Sequence, residues 1–152
     1  MDSKKISDNK IRILSPWIQE TFPYAERTLS AEEYNEEWES ADRNVNRLLT
    51  KLHSQVLNEV RTKTGAKALV VDRFGANHPV SAFFKPEAKE GVQVFEVPRA
   101  EAHPSVAAAS VLARAAFIAS IKELSEVCGA DLPLGSGSPV PPALRTVLKI
   151  HG

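Results

Sequence analysis

Apolar residues recur at helical spacing through the first part of the chain. One apolar face predicts a first helix and consists of Ile11, Leu14, Trp17, Ile18 and Phe22. We expect this helix to begin at Ser7 or Asp8 and to be kinked or divided at Pro16. Ser30 and Glu33 then form the pattern of a capping box. The strongest helical face follows, with Gly65 suited to end it, and consists of Val45, Leu48, Leu49, Leu52, Val56 and Val60.

Three segments have the pattern of β-strands: residues 24–30 and 92–97 alternate, and residues 66–72 form a continuous apolar run. Such a run is typical of a buried, parallel strand. An alanine-rich helix follows, with Pro104 in its first turn and Gly129 past its end. A loop over 132–142 and a last helix over 143–151 complete the chain. Strands separated by helices predict an α/β fold with an at least partly parallel sheet.

Composition adds three constraints. The 152 residues, 43% apolar and 25% charged, predict one soluble globular domain. Nineteen basic and nineteen acidic residues cancel, so no global charge indicates a nucleic-acid or membrane partner. The single cysteine, Cys128, excludes an intrachain disulfide and favours a cytoplasmic protein. The charged start is not a signal peptide, and we expect no membrane span.

Two carboxylates stand where an α/β sheet binds ligands. Asp72 ends the most buried strand and Glu101 comes shortly after the next one. Because ligands bind beyond the carboxyl ends of parallel strands, these side chains are candidate ligands of a divalent cation such as Mg²⁺ or Mn²⁺. The alternative is that Asp72 is a turn or helix cap. His103, by the same standard, is expected to be a cap or surface residue rather than a catalytic base.

Three motifs then occur in the order and approximate spacing seen in type 2 ribonucleases H: DSKKIS at 2–7, VVDRFG at 70–75 and AEAHPSVAAASVLAR at 100–114. The chain resembles this family over essentially all of its length, and its closing LPLGSGSPV…HG looks most similar to ribonuclease HIII. The resemblance implies an RNase H-like mixed sheet flanked by helices. It also implies an endoribonuclease that cuts the RNA strand of RNA–DNA hybrids with two divalent cations held by four carboxylates.

Carried over by that resemblance, Asp72 and Glu101 correspond to the third and fourth carboxylates. In the family, one more residue usually separates the fourth carboxylate from the AAAS run than separates Glu101 from it here. Ser3, Lys4 and Lys5 are expected near the substrate backbone, where two ammonium groups would add a salt-sensitive attraction to phosphate. The alternative for these three residues is a solvated N-terminus. The alanine-rich helix is expected to lie close against the sheet through its Ala107, Ala108 and Val111 region.

The chain departs from the family at its start. The family's first strand carries an adjacent Asp-Glu pair, and no Asp-Glu dipeptide occurs in this sequence. We therefore expect residues 1–152 to be a partial catalytic domain, N-terminally incomplete, without the first strands or any N-terminal substrate-binding domain. Met1 is then an internal methionine of a longer protein, and a genuine short product is the alternative. The chain alone is expected to be inactive or very weak.

The expected partner is an RNA–DNA hybrid duplex, with no membrane and no obligate protein partner. Loss of the first strand would expose an apolar strand edge, which invites association between chains. Two other hypotheses stay open. The chain could be a noncatalytic nucleic-acid-binding remnant of the same fold, or an unrelated α/β domain whose motifs coincide by accident.

Overall fold

The computed structural model describes residues 6–73, 79–86 and 90–152 of the chain. The helices in these ranges are α1 (Asp8–Thr21), α2 (Ala31–Ser40), α3 (Val45–Thr64), α4 (Pro104–Cys128) and α5 (Val140–His151). The strands are β1 (Ala68–Asp72) and β2 (Gln93–Val97), and 3₁₀ helices span Val80–Phe84 and Ala100–Ala102. The chain divides into two compact units, one ending at Leu112 and the other running from Ala113 to Gly152.

Local hydrogen bonds define the ends of α2 and α3. The predicted capping box is confirmed: Glu33 N donates to Ser30 Oγ at 3.1 Å, and Ser30 N donates to Glu33 Oε2 at 2.8 Å. Helix α3 begins after Asn44, whose side chain accepts two backbone N–H bonds at 3.0 and 3.2 Å. It ends at Gly65, which adopts the left-handed conformation expected of a C-terminal glycine, with φ at +69°.

Two predictions for this part of the chain are wrong, the first of them in part. Pro16 does not divide helix α1, because a mid-helix proline removes one backbone N–H while buried side chains hold the helix on both sides of it. Residues 24–30 do not form a strand. Within the described residues no strand pairs with them, and the backbone oxygen of Tyr24 instead accepts a bond from Lys63 Nζ at 3.0 Å.

The described sheet consists of β1 and β2 in parallel, with the register running from Ala68 opposite Gln93 to Asp72 opposite Val97. The predicted buried parallel strand is therefore confirmed. The sheet packs on the 3₁₀ helix Val80–Phe84, and this core cluster consists of Leu69, Val71, Val80, Phe84 and Val92. The opposite edge of β1 has no neighbouring strand among the described residues. Its backbone groups there are available to another strand.

Helix α4 begins at Pro104 as predicted and is followed by Gly129 in the left-handed region. Its apolar residues are not confined to one face, and Val111, Leu112 and Ile118 are its buried residues. By length and composition, it is the one described helix that could cross a membrane, although the core helix of a soluble protein meets the same criteria.

Helix α5 begins at Val140, earlier than predicted, because prolines suit the first turn of a helix. Pro141 and Pro142 lack the backbone N–H groups that would be unpaired there anyway. In the same unit, His151 Nε2 lies 3.0 Å from the backbone oxygen of Cys128. The end of α5 is thus tied to the end of α4.

Candidate metal centre at the carboxyl ends of the strands

The parallel pairing brings the carboxyl ends of β1 and β2 to one edge of the sheet. Asp72 is the last residue of β1, opposite Val97, and its side chain is exposed there. Its Oδ1 atom accepts a hydrogen bond from the backbone N–H of Ala100 at 3.3 Å. The carboxylate therefore meets the chain directly after β2, 28 residues further on.

A left-handed turn delivers that N–H group. Arg99 has φ 57° and ψ 42°, and Ala100 opens the 3₁₀ helix that follows. Ala100 is 3% exposed and its backbone oxygen accepts from His103 N at 2.8 Å, so the segment is fixed on both sides. Glu101 is the next residue in this 3₁₀ helix and is half-buried. The structure thus places Asp72 and Glu101 at the same edge of the sheet, as predicted.

His53 on α3 belongs to this neighbourhood, and the sequence reasoning missed it. Desolvation lowers the pKa of the His53 imidazole, and the negative charge of Asp72 opposes that shift. The side chain keeps a solvent-exposed surface, so it sits at the rim of the site rather than in the core. The helical periodicity identified only the apolar face of α3, which does not include His53. The presence of a histidine on this helix was the only sequence signal that could have revealed it.

Glu96, another acid near the strand ends, already has a structural role. Its Oε1 atom accepts a hydrogen bond from the backbone N–H of Ser81 at 3.0 Å, which ties β2 to the 3₁₀ helix packed on the sheet. Its backbone oxygen accepts from Arg73 Nη2 at 2.9 Å. The carboxylate at the open edge is therefore Asp72, whereas Glu96 serves the packing of the sheet.

The carboxylates of Asp72 and Glu101 offer oxygen ligands of the kind that a hard divalent cation binds. Asp72 uses only Oδ1 for Ala100, which leaves Oδ2 without a hydrogen-bond donor among the described residues. Carboxylate oxygens are the ligands that Mg²⁺ and Mn²⁺ prefer. Within residues 6–73, 79–86 and 90–152, however, no three His, Cys, Asp or Glu side chains are grouped so as to hold a metal ion. Asp72 and Glu101 therefore suit some of the ligand positions of a metal centre but do not complete one.

The remaining candidate residues lie elsewhere or have other partners. His103 is exposed beside the start of α4, where its Nδ1 atom lies 3.0 Å from Ser105 Oγ and its backbone oxygen accepts from Ala107 N at 2.9 Å. It has the surroundings of a helix cap, as expected. Ser3, Lys4 and Lys5 lie outside the described residues.

Known proteins resemble this chain over its whole length. The family model described as Ribonuclease HII matches residues 1–152. A protein named Ribonuclease HIII from Protochlamydia amoebophila is 34% identical over 151 residues, covering 99% of this chain and 50% of the relative. One of the same name from Chlamydia pneumoniae is also 34% identical, with 99% of this chain and 51% of the relative covered. The chain spans about half the length of the curated relatives it matches.

Solved structures give the same result. The crystal structure of Bst-RNase HIII in complex with Mn²⁺ superposes with a TM-score of 0.82 at 29% identity, covering 97% of this chain and 49% of that one. A mutant protein of Bst-RNase HIII gives a TM-score of 0.80 at 30% identity, with the same coverage. These neighbours confirm the α/β RNase H-like fold. With a family match that extends from the first residue to the last, the chain belongs to the ribonuclease HII family and is similar to relatives named Ribonuclease HIII.

Proposed function

We propose that the chain belongs to an endoribonuclease that cleaves the RNA strand of RNA–DNA hybrids. The observation that carries this proposal is the contact between Asp72 Oδ1 and Ala100 N, because it brings Asp72 and Glu101 to one edge of the sheet. The family match over residues 1–152 gives these two carboxylates their significance. Relatives named Ribonuclease HIII support the ribonuclease H activity, and a Mn²⁺ complex of a structural neighbour supports a divalent metal. A cytoplasmic location is part of the same proposal.

In this proposal Asp72 and Glu101 each contribute a carboxylate to the binding of Mg²⁺ or Mn²⁺. Asp72 accepts the Ala100 N–H through one oxygen, which leaves its other oxygen for a cation. Bound divalent cations supply the activation of water and the stabilisation of negative charge that phosphodiester hydrolysis requires. The residues of this chain orient those ligands and present them at an exposed edge that a duplex can reach.

We further propose that Asp72 and Glu101 do not suffice for cleavage. The family resemblance implies four carboxylates, and the described residues offer no group of three potential ligands. Two cations held by two carboxylates would repel each other with little compensation, and Mg²⁺ demands near-ideal geometry. Residues 1–152 would then act as part of one catalytic domain, completed by polypeptide of the kind that makes the curated relatives twice as long.

The test compares the 152-residue chain with a fusion that restores the length of a relative. The fusion joins the chain to the part of the Protochlamydia amoebophila relative that it does not match, in that relative's chain order. A hybrid duplex with fluorescently labelled RNA is incubated with each protein in Mg²⁺ and in Mn²⁺. We expect cleavage by the fusion only, and a loss to background when Asp72 in the fusion is replaced by Asn.

Each outcome decides between the alternatives. A monodisperse fusion that binds the hybrid without cutting it in either metal would refute the nuclease and favour the noncatalytic binding remnant. A fusion carrying Asp72→Asn that cleaves at the original rate would remove Asp72 from the reaction. Metal-dependent cleavage by the 152-residue chain alone, lost on Asp72→Asn, would show that two carboxylates are enough.

A further inference from the structure

Arg99 has a strained backbone at the edge of the site. A residue with a side chain rarely adopts the left-handed region, yet Arg99 does so with φ 57° immediately before Ala100. Strained residues of this kind persist where the surrounding structure holds them, and they cluster at functional sites. Here the strain has a visible result, because the turn aims the N–H of Ala100 at Asp72 Oδ1.

The side chain of Arg99 is exposed and has no ion pair or hydrogen-bond partner among the described residues. The neighbouring Arg73 differs in this respect. Its Nη2 atom donates to the backbone oxygen of Glu96 at 2.9 Å. In the part of the chain that the structure describes, Arg99 is thus the uncommitted cation beside Asp72.

Peptide geometry limits the distance between the backbone of Arg99 and the carboxylate of Asp72. The Cα atom of Arg99 is about 2.4 Å from the nitrogen of Ala100, and that nitrogen is 3.3 Å from Asp72 Oδ1. The Arg99 Cα therefore lies within about 6 Å of the carboxylate oxygen. The Arg99 guanidinium nevertheless forms no ion pair with Asp72 among the described residues. A carboxylate that binds cations would lose that capacity if an arginine neutralised it.

We propose that Arg99 is a substrate-binding residue that contacts a backbone phosphate of the nucleic acid next to the site. The proposal rests on the proposed function, since it supposes a duplex at the edge formed by Asp72 and Glu101. A guanidinium matches phosphate oxygens with two parallel N–H bonds. The left-handed turn holds this group beside the metal-binding carboxylates without letting it pair with them.

The test measures the dissociation constant of the fusion protein described above for a fluorescein-labelled RNA–DNA hybrid, without divalent cations, at several salt concentrations. Arg99→Asn removes the charge, and asparagine tolerates the left-handed backbone. One lost phosphate contact should reduce the slope of log Kd against log salt by about 0.9. Between about 50 and 200 mM salt, the dissociation constant of the wild type should therefore rise about 3.5-fold more than that of the variant.

Three further variants separate charge from backbone. Arg99→Gly also loses the charge and relieves the strain, so it should match Arg99→Asn, whereas Arg99→Lys should keep the wild-type slope. Arg145→Asn is the matched control, because Arg145 is exposed on α5 and has no partner among the described residues. It should leave the slope unchanged.

The outcomes distinguish the two proposals. A wild-type fusion that shows no salt-dependent binding of the hybrid refutes the proposed function, and the role of Arg99 with it. Binding by the wild type with the same slope in Arg99→Asn and Arg99→Gly refutes only the role of Arg99. A fall in slope shared equally by Arg145→Asn also refutes it, because the effect would then be one of net charge.

Discussion

Asp72 combines two roles that substitution can separate. Its Oδ1 atom accepts the N–H of Ala100, which ties the end of β1 to the segment after β2. Its negative charge is proposed to bind a divalent cation. Asparagine keeps a side-chain oxygen at nearly the same place but carries no charge, whereas alanine removes both. We therefore expect Asp72→Asn to spare the stability of the chain and Asp72→Ala to lower it.

The size of the effect follows from the geometry of this one bond. A typical hydrogen bond contributes roughly 0.5–1.5 kcal/mol to stability, and a bond to a charged group contributes more. At 3.3 Å the bond is longer than ideal, and the Asp72 side chain is exposed, so about 1 kcal/mol is appropriate. For a domain of this size, a loss of about 1 kcal/mol lowers the melting temperature by roughly 2–4 °C. Asp72→Asn should stay within about 0.5 kcal/mol of the wild type.

Thermal unfolding followed by circular dichroism measures both variants in the 152-residue chain. Asp131→Ala is the control, because Asp131 is exposed after α4 and has no side-chain partner among the described residues. It should leave the melting temperature unchanged. If Asp72→Ala has the same melting temperature as the wild type, the bond to Ala100 does not stabilise the fold. If Asp72→Asn lowers the melting temperature as much as Asp72→Ala does, the charge rather than the hydrogen bond holds the segment.

Two other substitutions test the site and its surroundings. In the fusion protein, Glu101→Gln should lower cleavage, with partial rescue by raised Mn²⁺. Glu96→Gln should preserve it, because glutamine still offers an oxygen to Ser81 N; the opposite result would identify Glu96 as the ligand. Ala108→Leu should destabilise the chain by roughly 1–3 kcal/mol if the face of α4 that includes Val111 packs on the sheet. An unchanged melting temperature for Ala108→Leu would place that face in solvent.

Much of the local structure could be predicted because its causes lie within a few residues. The capping box of Ser30 and Glu33 spans three residues, and Gly65 ends α3 through its own backbone conformation. The apolar run ending at Asp72 indicated a buried parallel strand from its composition alone. By contrast, residues 24–30 alternate without forming a strand, because a strand also needs a neighbour to pair with. Alternation in the sequence does not reveal that neighbour.

The composition of α4 predicted its existence and its start at Pro104 but not its environment. A helix rich in alanine whose apolar residues are not confined to one face gives no clear sign of its solvent side. The residues that are buried in it, Val111, Leu112 and Ile118, do not differ in type from several that are exposed. Only the packing of the surrounding chain selects among them.

The sequence by itself determined the family, the order of most helices and strands, and the two carboxylates that follow β1 and β2. Only the tertiary structure decided how these parts meet. The parallel register brings Ala100 N to Asp72 Oδ1 across 28 residues of chain, and the packing of α3 brings His53 within the electrostatic influence of Asp72. The left-handed turn at Arg99 was also invisible, because arginine has no preference for it. Such a conformation is imposed by contacts between distant segments, and these contacts depend on how the whole chain packs.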